Sequence, residues 1–147
     1  MTFPVLGKEN MEAFVPHRGR MLLIDDLMEA DLDAKAMTSR TLVREGMLYL
    51  TEGGLPSYVT FELMAQTISA WDHYLSASAT PQIGFILGVD HFKAECETIP
   101  LGSSILTTVT QDVSLLERMF SFKGESRVDG KLVASARLLV YAAEGTL

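Results

Sequence analysis

The sequence is organised around one uninterrupted segment, PSYVTFELMAQTISAWDHYLSA, at residues 56–77. Pro56 suits the start of a helix, because its missing N–H would have no partner there. The residues that follow, from Ser57 to Ala77, include neither glycine nor proline, and their apolar side chains fall on nearly every side of a helix. A helix that is apolar all round is surrounded by other structure. We therefore expect a buried helix over 57–77.

The segments on both sides of this helix have the character of strands. Before it, we expect strands at Leu22–Ala30 and Ala34–Leu42, joined by an aspartate-rich turn. After it, residues 83–141 predict about five or six antiparallel strands, with Asp129-Gly130 as a hairpin turn. The predicted fold is α+β, an antiparallel sheet wrapped around one long central helix. This is the arrangement of the hotdog fold, in a single domain over residues 1–147.

The composition of the chain excludes several classes of function. The chain has 147 residues, 48% hydrophobic and 21% charged, as expected for one globular domain. Its net charge of −7 argues against nucleic-acid binding, which needs a basic face. No apolar run approaches the roughly 20 residues of a membrane span, and the N-terminus lacks a signal-peptide pattern. We expect a cytoplasmic protein that binds neither membrane nor nucleic acid, whose lone Cys96 forms no disulfide within the chain.

Polar residues of the predicted helix share one face. Glu62, Gln66, Ser69 and His73 follow one another at intervals of four, three and four residues. A carboxylate in a buried helix is costly unless it is paired or used, so Glu62 is a candidate for chemistry; the alternative is that it caps its own helix. His73 lies roughly 16 Å further along the axis. We interpret it as an ordinary polar residue near the helix end.

Four aspartates lie close together in the first predicted hairpin. Asp25, Asp26, Asp31 and Asp33 could suggest a metal cluster. Their spacing instead distributes them along a strand and a turn, without a glycine-containing calcium loop. We expect solvated acids and no metal site.

Four stretches carry a recognisable pattern in order along the chain: Val15-Pro16-His17-Arg18 with Met21-Leu22-Leu23-Ile24-Asp25, Leu55-Pro56-Ser57 with Phe61-Glu62-Leu63-Met64-Ala65-Gln66, Gly88-Val89-Asp90-His91-Phe92-Lys93 with Pro100 and Gly102, and Phe122-Lys123-Gly124 with Val128-Asp129-Gly130-Lys131. Together they resemble the bacterial (3R)-hydroxyacyl-acyl-carrier-protein dehydratases, a hotdog family. The resemblance covers residues 15–141, most of the chain.

The resemblance implies chemistry on a thioester. Members of that family remove water from a 3-hydroxyacyl chain carried on the phosphopantetheine of acyl carrier protein, with a His from one subunit of a dimer and an acidic helix residue from the other. By position, Glu62 is the acid. The N–H groups near Ser57 and Tyr58 are the donors to the thioester oxygen, a role that suits a helix N-terminus. Gln66 lies near the site on the same helix face.

The catalytic His of the family is missing from its expected place. It should fall between Glu45 and Pro56, where this chain reads EGMLYLTEGGLP. The chain thus resembles a divergent branch that lacks this His and has relatives associated with aryl-polyene pigment synthesis. His17 and His91 are the remaining candidates for a base, since His is the usual proton acceptor near neutral pH. His91 and the adjacent Phe92 are also candidates for contacts with substrate.

Three functions stay open. The first is a dehydratase that gives the trans-2-enoyl thioester, in fatty-acid or polyene-type biosynthesis, with Glu62 and a displaced base. The second is an acyl thioesterase in which Glu62 activates water. The third is a non-catalytic acyl-binding subunit of another hotdog dehydratase. The expected partners are acyl carrier protein or acyl-CoA and a second copy of the chain, or else another hotdog protein; no cofactor is expected.

Overall fold

The computed structural model describes residues 11–76, 84–116 and 119–142. Within these ranges the chain forms one α-helix, eight strands and two 3₁₀ turns. The helix α1 spans Thr60–Ser76, and the 3₁₀ turns span Gly19–Met21 and Ser57–Val59. The strands are β1 (Asp26–Asp31), β2 (Ala36–Leu42), β3 (Leu55–Pro56), β4 (Gly84–Ala94), β5 (Thr98–Ile99), β6 (Ser104–Leu116), β7 (Met119–Val128) and β8 (Lys131–Ala142).

Six strands form one antiparallel sheet in the order β1-β2-β6-β7-β8-β4, and β3 pairs with β5 separately. The helix α1 packs against β2, β6 and β7. Leu63, Met64 and Trp71 on the helix are buried together with Ile105 and Leu138 of the sheet. A sheet that curves around one buried helix is the hotdog fold, so the predicted fold class is confirmed.

The central helix begins in two steps. Residues Ser57–Val59 form a 3₁₀ turn, and the Thr60 hydroxyl donates to the Ser57 carbonyl at 2.7 Å. Further along, Ser39 of β2 hydrogen-bonds to Thr67 at 2.7 Å, which ties the helix to the sheet. The prediction of a buried helix is confirmed, while its expected last residue, 77, lies outside the described residues. Among the residues described, no helix is long and apolar enough to cross a bilayer.

The first strand is shorter than predicted. It begins at Asp26 rather than Leu22. The N–H groups of Leu23 and Ile24 donate to the side-chain oxygen of Gln66, at 2.9 and 3.3 Å, instead of to a neighbouring strand. A side-chain amide on the central helix thus replaces the sheet partner of this segment.

Both predicted turns form through local chemistry. Asp129 and Gly130 adopt φ of 50° and 81°, which confirms the hairpin turn between β7 and β8. Between β1 and β2, the Asp31 carboxylate accepts hydrogen bonds from the N–H groups of Asp33 and Ala34, both at 3.0 Å. An aspartate that bonds to its own backbone favours a tight turn.

Two of the four aspartates are not solvated, which corrects the prediction. Asp25 and Asp26 are only 8% and 5% exposed. Asp25 accepts two hydrogen bonds from Arg44, both at 2.8 Å, and Asp26 is paired with Arg40. The pairing with an arginine, which is bidentate for Asp25, compensates the burial of each charge. These two acids therefore attach the start of β1 to β2 and to the chain that follows β2.

Candidate active site

His17 and Glu62 meet at the start of the central helix. His17 lies in the loop before the first 3₁₀ turn, and Glu62 lies in the first turn of α1. The Nε2 atom of His17 is 3.2 Å from Oε1 of Glu62, and the two side chains are 25% and 30% exposed. Both residues belong to the same chain, whereas the family resemblance implies a pair drawn from two subunits. The structure therefore brings together an imidazole and a carboxyl group that sequence patterns do not connect.

Arg18 holds the loop that carries His17. Its guanidinium group donates to the carbonyls of Val15 at 2.7 Å and His17 at 2.9 Å, and it also reaches the carbonyl of Glu12 at 3.1 Å. A planar guanidinium group with several fixed donors suits this purpose. The loop is thereby folded around one side chain, which restricts the position of the imidazole.

Gln66 fixes the other side of the pair. Its Nε2 atom donates to Oε1 of Glu62 at 3.2 Å and to the Met21 carbonyl at 2.7 Å. Its oxygen accepts the two N–H groups of residues 23 and 24 described above. Gln66 is fully buried. One amide group therefore joins the carboxyl group of Glu62 to the segment that follows His17.

The surroundings of Glu62 favour its ionised form. Burial opposes ionisation, but the hydrogen bonds with His17 and Gln66 and the charge of His17 outweigh burial, so the pKa of Glu62 lies below its ordinary value. A carboxylate beside an imidazole can exchange one proton with it. The pair can therefore serve as acid and base in turn.

A cavity of about 160 Å³ opens beside this pair, between α1 and the strands β4, β7 and β8. Its lining is apolar except for His17 and Glu62 at the start of the helical wall, Asp72 at its end and Ser69 between them. The lining residues are His17, Glu62, Ala65, Ile68, Ser69, Trp71, Asp72, Ile86, Phe120, Phe122 and Val140. An apolar cavity with few polar groups is typical of a site for a small ligand or an acyl chain.

Asp72 is the second acidic residue of the cavity. Burial raises its pKa to about 6. Its Oδ1 atom is buried and has no hydrogen-bond partner in the part of the chain that the structure describes. The cavity thus has a carboxyl group at each end of its helical wall.

The other predicted site residues lie elsewhere. Tyr58 and Phe92 line a shallow groove of about 290 Å³ together with Phe61 and Val89. His91 is 79% exposed and pairs with Asp90 at 3.1 Å. Neither His91 nor Phe92 contributes to the wall of the cavity beside Glu62.

Ser57 and His73 have structural contacts. The N–H of Ser57 donates to the Glu97 carbonyl at 3.0 Å, and its hydroxyl group donates to the Cys96 carbonyl. The imidazole of His73 stands edge-on to the ring of Phe14, with the ring centres 5.1 Å apart, and burial lowers its pKa. These contacts agree with the interpretation of His73 as a residue outside the site.

Sequence reasoning missed Asp72. A signal was available, since residues 62, 65, 69 and 72 follow at intervals of three and four and share one helix face. The polar face predicted from the sequence shares Glu62 and Ser69 with this face, whereas Gln66 and His73 each lie one position beyond it. Among the described residues, no three His, Cys, Asp or Glu side chains are arranged to hold a metal ion.

The fold defines a hotdog-fold protein, and the paired side chains in its cavity define a candidate acid–base site. The model of the ApeP-like family, described as ApeP dehydratase, matches residues 9–146, and the chain belongs to this family. It is also similar to the 3-hydroxyacyl-[acyl-carrier-protein] dehydratase FabZ of Xanthomonas oryzae pv. oryzae, with 27% identity over 139 residues and 90% of each chain covered. The family predicted from the sequence motifs is confirmed.

Solved structures share the fold. The dehydratase heterocomplex ApeI:P from Xenorhabdus doucetiae aligns with a TM-score of 0.78 and 22% identity over 92% of this chain and 91% of that one. A hypothetical thioesterase with coenzyme A from Streptococcus pneumoniae TIGR4 aligns with a TM-score of 0.62 and 13% identity over 80% and 84% of the two chains. At these identities the likeness concerns the fold, which dehydratases and thioesterases have in common.

Proposed function

We propose that this protein removes water from 3-hydroxyacyl thioesters of acyl carrier protein and gives the trans-2-enoyl thioester. The contact of 3.2 Å between His17 Nε2 and Glu62 Oε1, at the mouth of an apolar cavity, carries the proposal. Dehydration needs a base beside C2 and an acid beside the hydroxyl group on C3. Two groups within hydrogen-bond distance of each other can serve neighbouring carbon atoms.

The reaction starts from a pair that shares one proton. In the free protein Glu62 is the ionised partner, since its pKa is lowered. An acyl chain in the cavity excludes water from the carboxylate, which raises its pKa and draws the shared proton from His17. Nε2 of His17 then takes the proton from C2, the C2–C3 double bond forms and the C3–O bond breaks. Glu62 protonates the departing hydroxide to water, which leaves Glu62 ionised and the proton from C2 on His17, as at the start.

The start of the helix supplies a donor to the thioester oxygen. Negative charge grows on this oxygen when C2 loses its proton, and a helix N-terminus presents unpaired N–H groups. The N–H of Ser57 is already bonded to Glu97. We therefore assign this role to the N–H of Tyr58, one turn before Glu62, rather than to Ser57.

Both proton transfers use side chains, so the proposed reaction needs no cofactor. The similarity to an acyl-carrier-protein dehydratase supports that carrier over coenzyme A, and a cytoplasmic location remains a prediction. The family assignment fits fatty-acid or aryl-polyene biosynthesis.

A second hotdog subunit completes the proposed assembly. Strand β4 lies at one edge of the six-stranded sheet, so one side of it has no sheet neighbour among the described residues. The apolar groove formed by Tyr58, Phe61, Val89 and Phe92 adjoins this edge. An open edge beside an apolar surface favours pairing with another chain. We propose a homodimer, with another hotdog protein as the alternative partner in view of the ApeI:P heterocomplex.

The test is mass spectrometry of 3-hydroxyacyl-[acyl-carrier-protein] incubated with the purified protein. We expect the acyl chain to lose one water. Glu62→Gln and His17→Asn each remove one member of the pair, and we expect the rate to fall by about 10² or more. Glu29→Gln makes the same chemical change at an exposed position of β1 and should leave the rate unchanged.

Other outcomes would change the assignment. Full activity of both Glu62→Gln and His17→Asn would overturn the proposed pair. Binding of the substrate without reaction would leave the third possibility, an acyl-binding subunit of another hotdog dehydratase. In that case addition of the partner enzyme should restore turnover.

Thioester hydrolysis is the second candidate function. The observation that favours it is the ionised state of Glu62, because a carboxylate can activate a water molecule for attack on the thioester carbonyl. The fold shared with a hypothetical thioesterase is compatible with this. Release of the free 3-hydroxy acid in the same assay, lost in Glu62→Gln and retained in His17→Asn, would identify hydrolysis.

A further inference from the structure

Asp72 is a half-buried residue with a buried carboxyl oxygen that the proposed reaction does not use. Its Oδ1 atom has no hydrogen-bond partner within residues 11–76, 84–116 and 119–142. The neighbouring Trp71 does not supply one, since its indole N–H donates to Gln111 at 3.1 Å. Leaving a buried acceptor unpaired destabilises a protein. An unpaired carboxyl oxygen in the wall of a cavity is well placed to accept a hydrogen bond from a ligand that enters the cavity.

The position of Asp72 suits the far end of an acyl chain. Asp72 follows Glu62 by ten residues on α1, about 15 Å along the helix axis. Both residues line the same cavity, and the helix face between them presents Ala65 and Ser69. A chain whose C2 and C3 lie beside His17 and Glu62 therefore runs along this face towards Asp72.

The chemistry of Asp72 specifies the partner. Apolar side chains of the sheet, including Phe120 and Val140, form the opposite wall. A plain alkyl end would leave the oxygen of Asp72 unpaired. An ammonium group has three donors, of which the apolar lining would leave at least one unpaired. A hydroxyl group has a single O–H donor, which the unpaired Oδ1 atom of Asp72 can accept.

We propose that Asp72 binds a hydroxyl group at the distal end of the acyl chain, and that the preferred substrates carry such a group. This inference rests on the proposed function for the placement of the thioester. Asp72 then provides a second point of substrate recognition, and the protein discriminates between hydroxyl-ended acyl chains and plain fatty-acyl chains. The length of the chain is then set by the distance between Glu62 and Asp72.

The test measures binding with probes that can be neither dehydrated nor hydrolysed. The probes are medium-chain acyl-pantetheine amides of increasing length, with a methyl, a hydroxyl or an amino group at the end. Calorimetric titration of the wild-type protein should give about tenfold tighter binding of the hydroxyl-ended probe at one length, since a hydrogen bond to a charged group is worth about a factor of ten or more. Asp72→Leu should abolish this preference.

A conservative variant keeps the test decisive if Asp72→Leu does not fold. Asp72→Asn retains a neutral acceptor, so the preference should fall to a few-fold. Asp33→Asn, an exposed aspartate in the turn between β1 and β2, should keep the full preference. Equal binding of methyl-ended and hydroxyl-ended probes at every length overturns the inference. A preference that both Asp72 variants retain in full overturns it too, as does tighter binding of the amino-ended probe.

These results are separate from those of the dehydration assay. Selective binding of the hydroxyl-ended probe without dehydration of any substrate would support the subsite and overturn the proposed reaction. Dehydration of plain 3-hydroxyacyl chains, with no selectivity among the probes, would support the reaction and overturn the subsite.

Discussion

Gln66 connects the two sides of the candidate site through a single amide group. Its oxygen and nitrogen contact four groups, three on the segment at residues 21–24 and one on Glu62. Because Gln66 is fully buried, water cannot replace these bonds. The residue is a positioning residue, since it acts on the pair through Glu62 and the chain after His17.

Replacing Gln66 by methionine should therefore destabilise the protein and disturb the pair. Methionine has a similar volume but leaves three backbone groups without their partner, and we expect the free energy of unfolding to fall by about 2 kcal/mol or more. Urea denaturation at pH 7 measures this. The pH profile of activity should also shift, because Glu62 loses one of the hydrogen bonds that lower its pKa. An unchanged profile would contradict the positioning role.

Asp72 should make the stability depend on pH. Its pKa is about 6 in the folded protein against 3.8 for the free side chain. The folded state therefore holds this proton more tightly, and the charge destabilises the fold as the pH rises from about 4 through 6. Asp72→Asn should raise the free energy of unfolding at pH 8 on the order of 1 kcal/mol, a value reduced by solvent screening of the half-buried group. Thermal unfolding at several pH values measures the difference.

The difference between Asp72→Asn and the wild type should vanish below pH 4, where both side chains are neutral. The same gain at pH 4 and pH 8 would show that the substitution acts through packing rather than through charge. A gain in stability on removal of Asp72 would agree with a residue kept for binding, since functional groups are often retained at a cost in stability.

At the scale of elements, the short pair of β3 and β5 fixes the start of the central helix. Leu55 and Pro56 pair with Ile99 and Thr98, immediately before the 3₁₀ turn that leads into α1. Gly54 precedes this pair with φ of +123°, and a Cβ atom there would lie 2.3 Å from the Ile99 carbonyl oxygen. Only glycine permits this close approach of two backbone segments.

Gly54→Ala should therefore displace β3 from β5 and lower the free energy of unfolding by about 2 kcal/mol or more. Gly46→Ala is the matched control. Gly46 also has a positive φ, of +81°, but a Cβ atom there meets nothing within 4 Å. Chemical denaturation of both variants separates the clash from the cost of the backbone conformation. Equal losses in the two would argue against the close approach as the cause.

At the scale of the whole molecule, the edge of the sheet at β4 is the surface through which we propose that two subunits associate. In the part of the chain that the structure describes, strand β4 pairs with β8 on one side only, with Val89 opposite Leu138. Val89 is 41% exposed and Tyr58 66% exposed, although both are apolar and belong to the same groove. Such a surface is costly to leave in water.

We expect Val89→Lys to convert the proposed dimer into a monomer, because association would bury a charge in the apolar groove. Sedimentation velocity measures the change in mass. Leu32→Lys is the control, since Leu32 is similarly exposed, at 49%, but lies in the turn between β1 and β2. A dimer that persists in Val89→Lys would show that subunits associate through a different surface.

The sequence alone was sufficient for the features that depend on local pattern. The segment at residues 57–77 has no glycine or proline and is apolar on nearly every side, and this pattern predicted the buried helix. The pair Asp129-Gly130 predicted the hairpin between β7 and β8. Motifs in order predicted the family, which the family model confirmed. Glu62 was singled out because a carboxyl group on an apolar helix is unusual. Each of these signals is carried by residues that are neighbours along the chain.

The tertiary structure decided the composition of the site. Alignment to the family left the base open between His17 and His91, and only the path of the chain brings His17 to Glu62 and leaves His91 exposed at the sheet edge. The hydrogen bond from Gln66 to Met21 joins residues 45 positions apart, and the bonds that Gln66 accepts from Leu23 and Ile24 replace a sheet partner before β1. The physical reason is that a local pattern records helical period and turn chemistry. Such a pattern does not predict which distant groups line the same cavity, because their proximity depends on how the sheet closes around the helix.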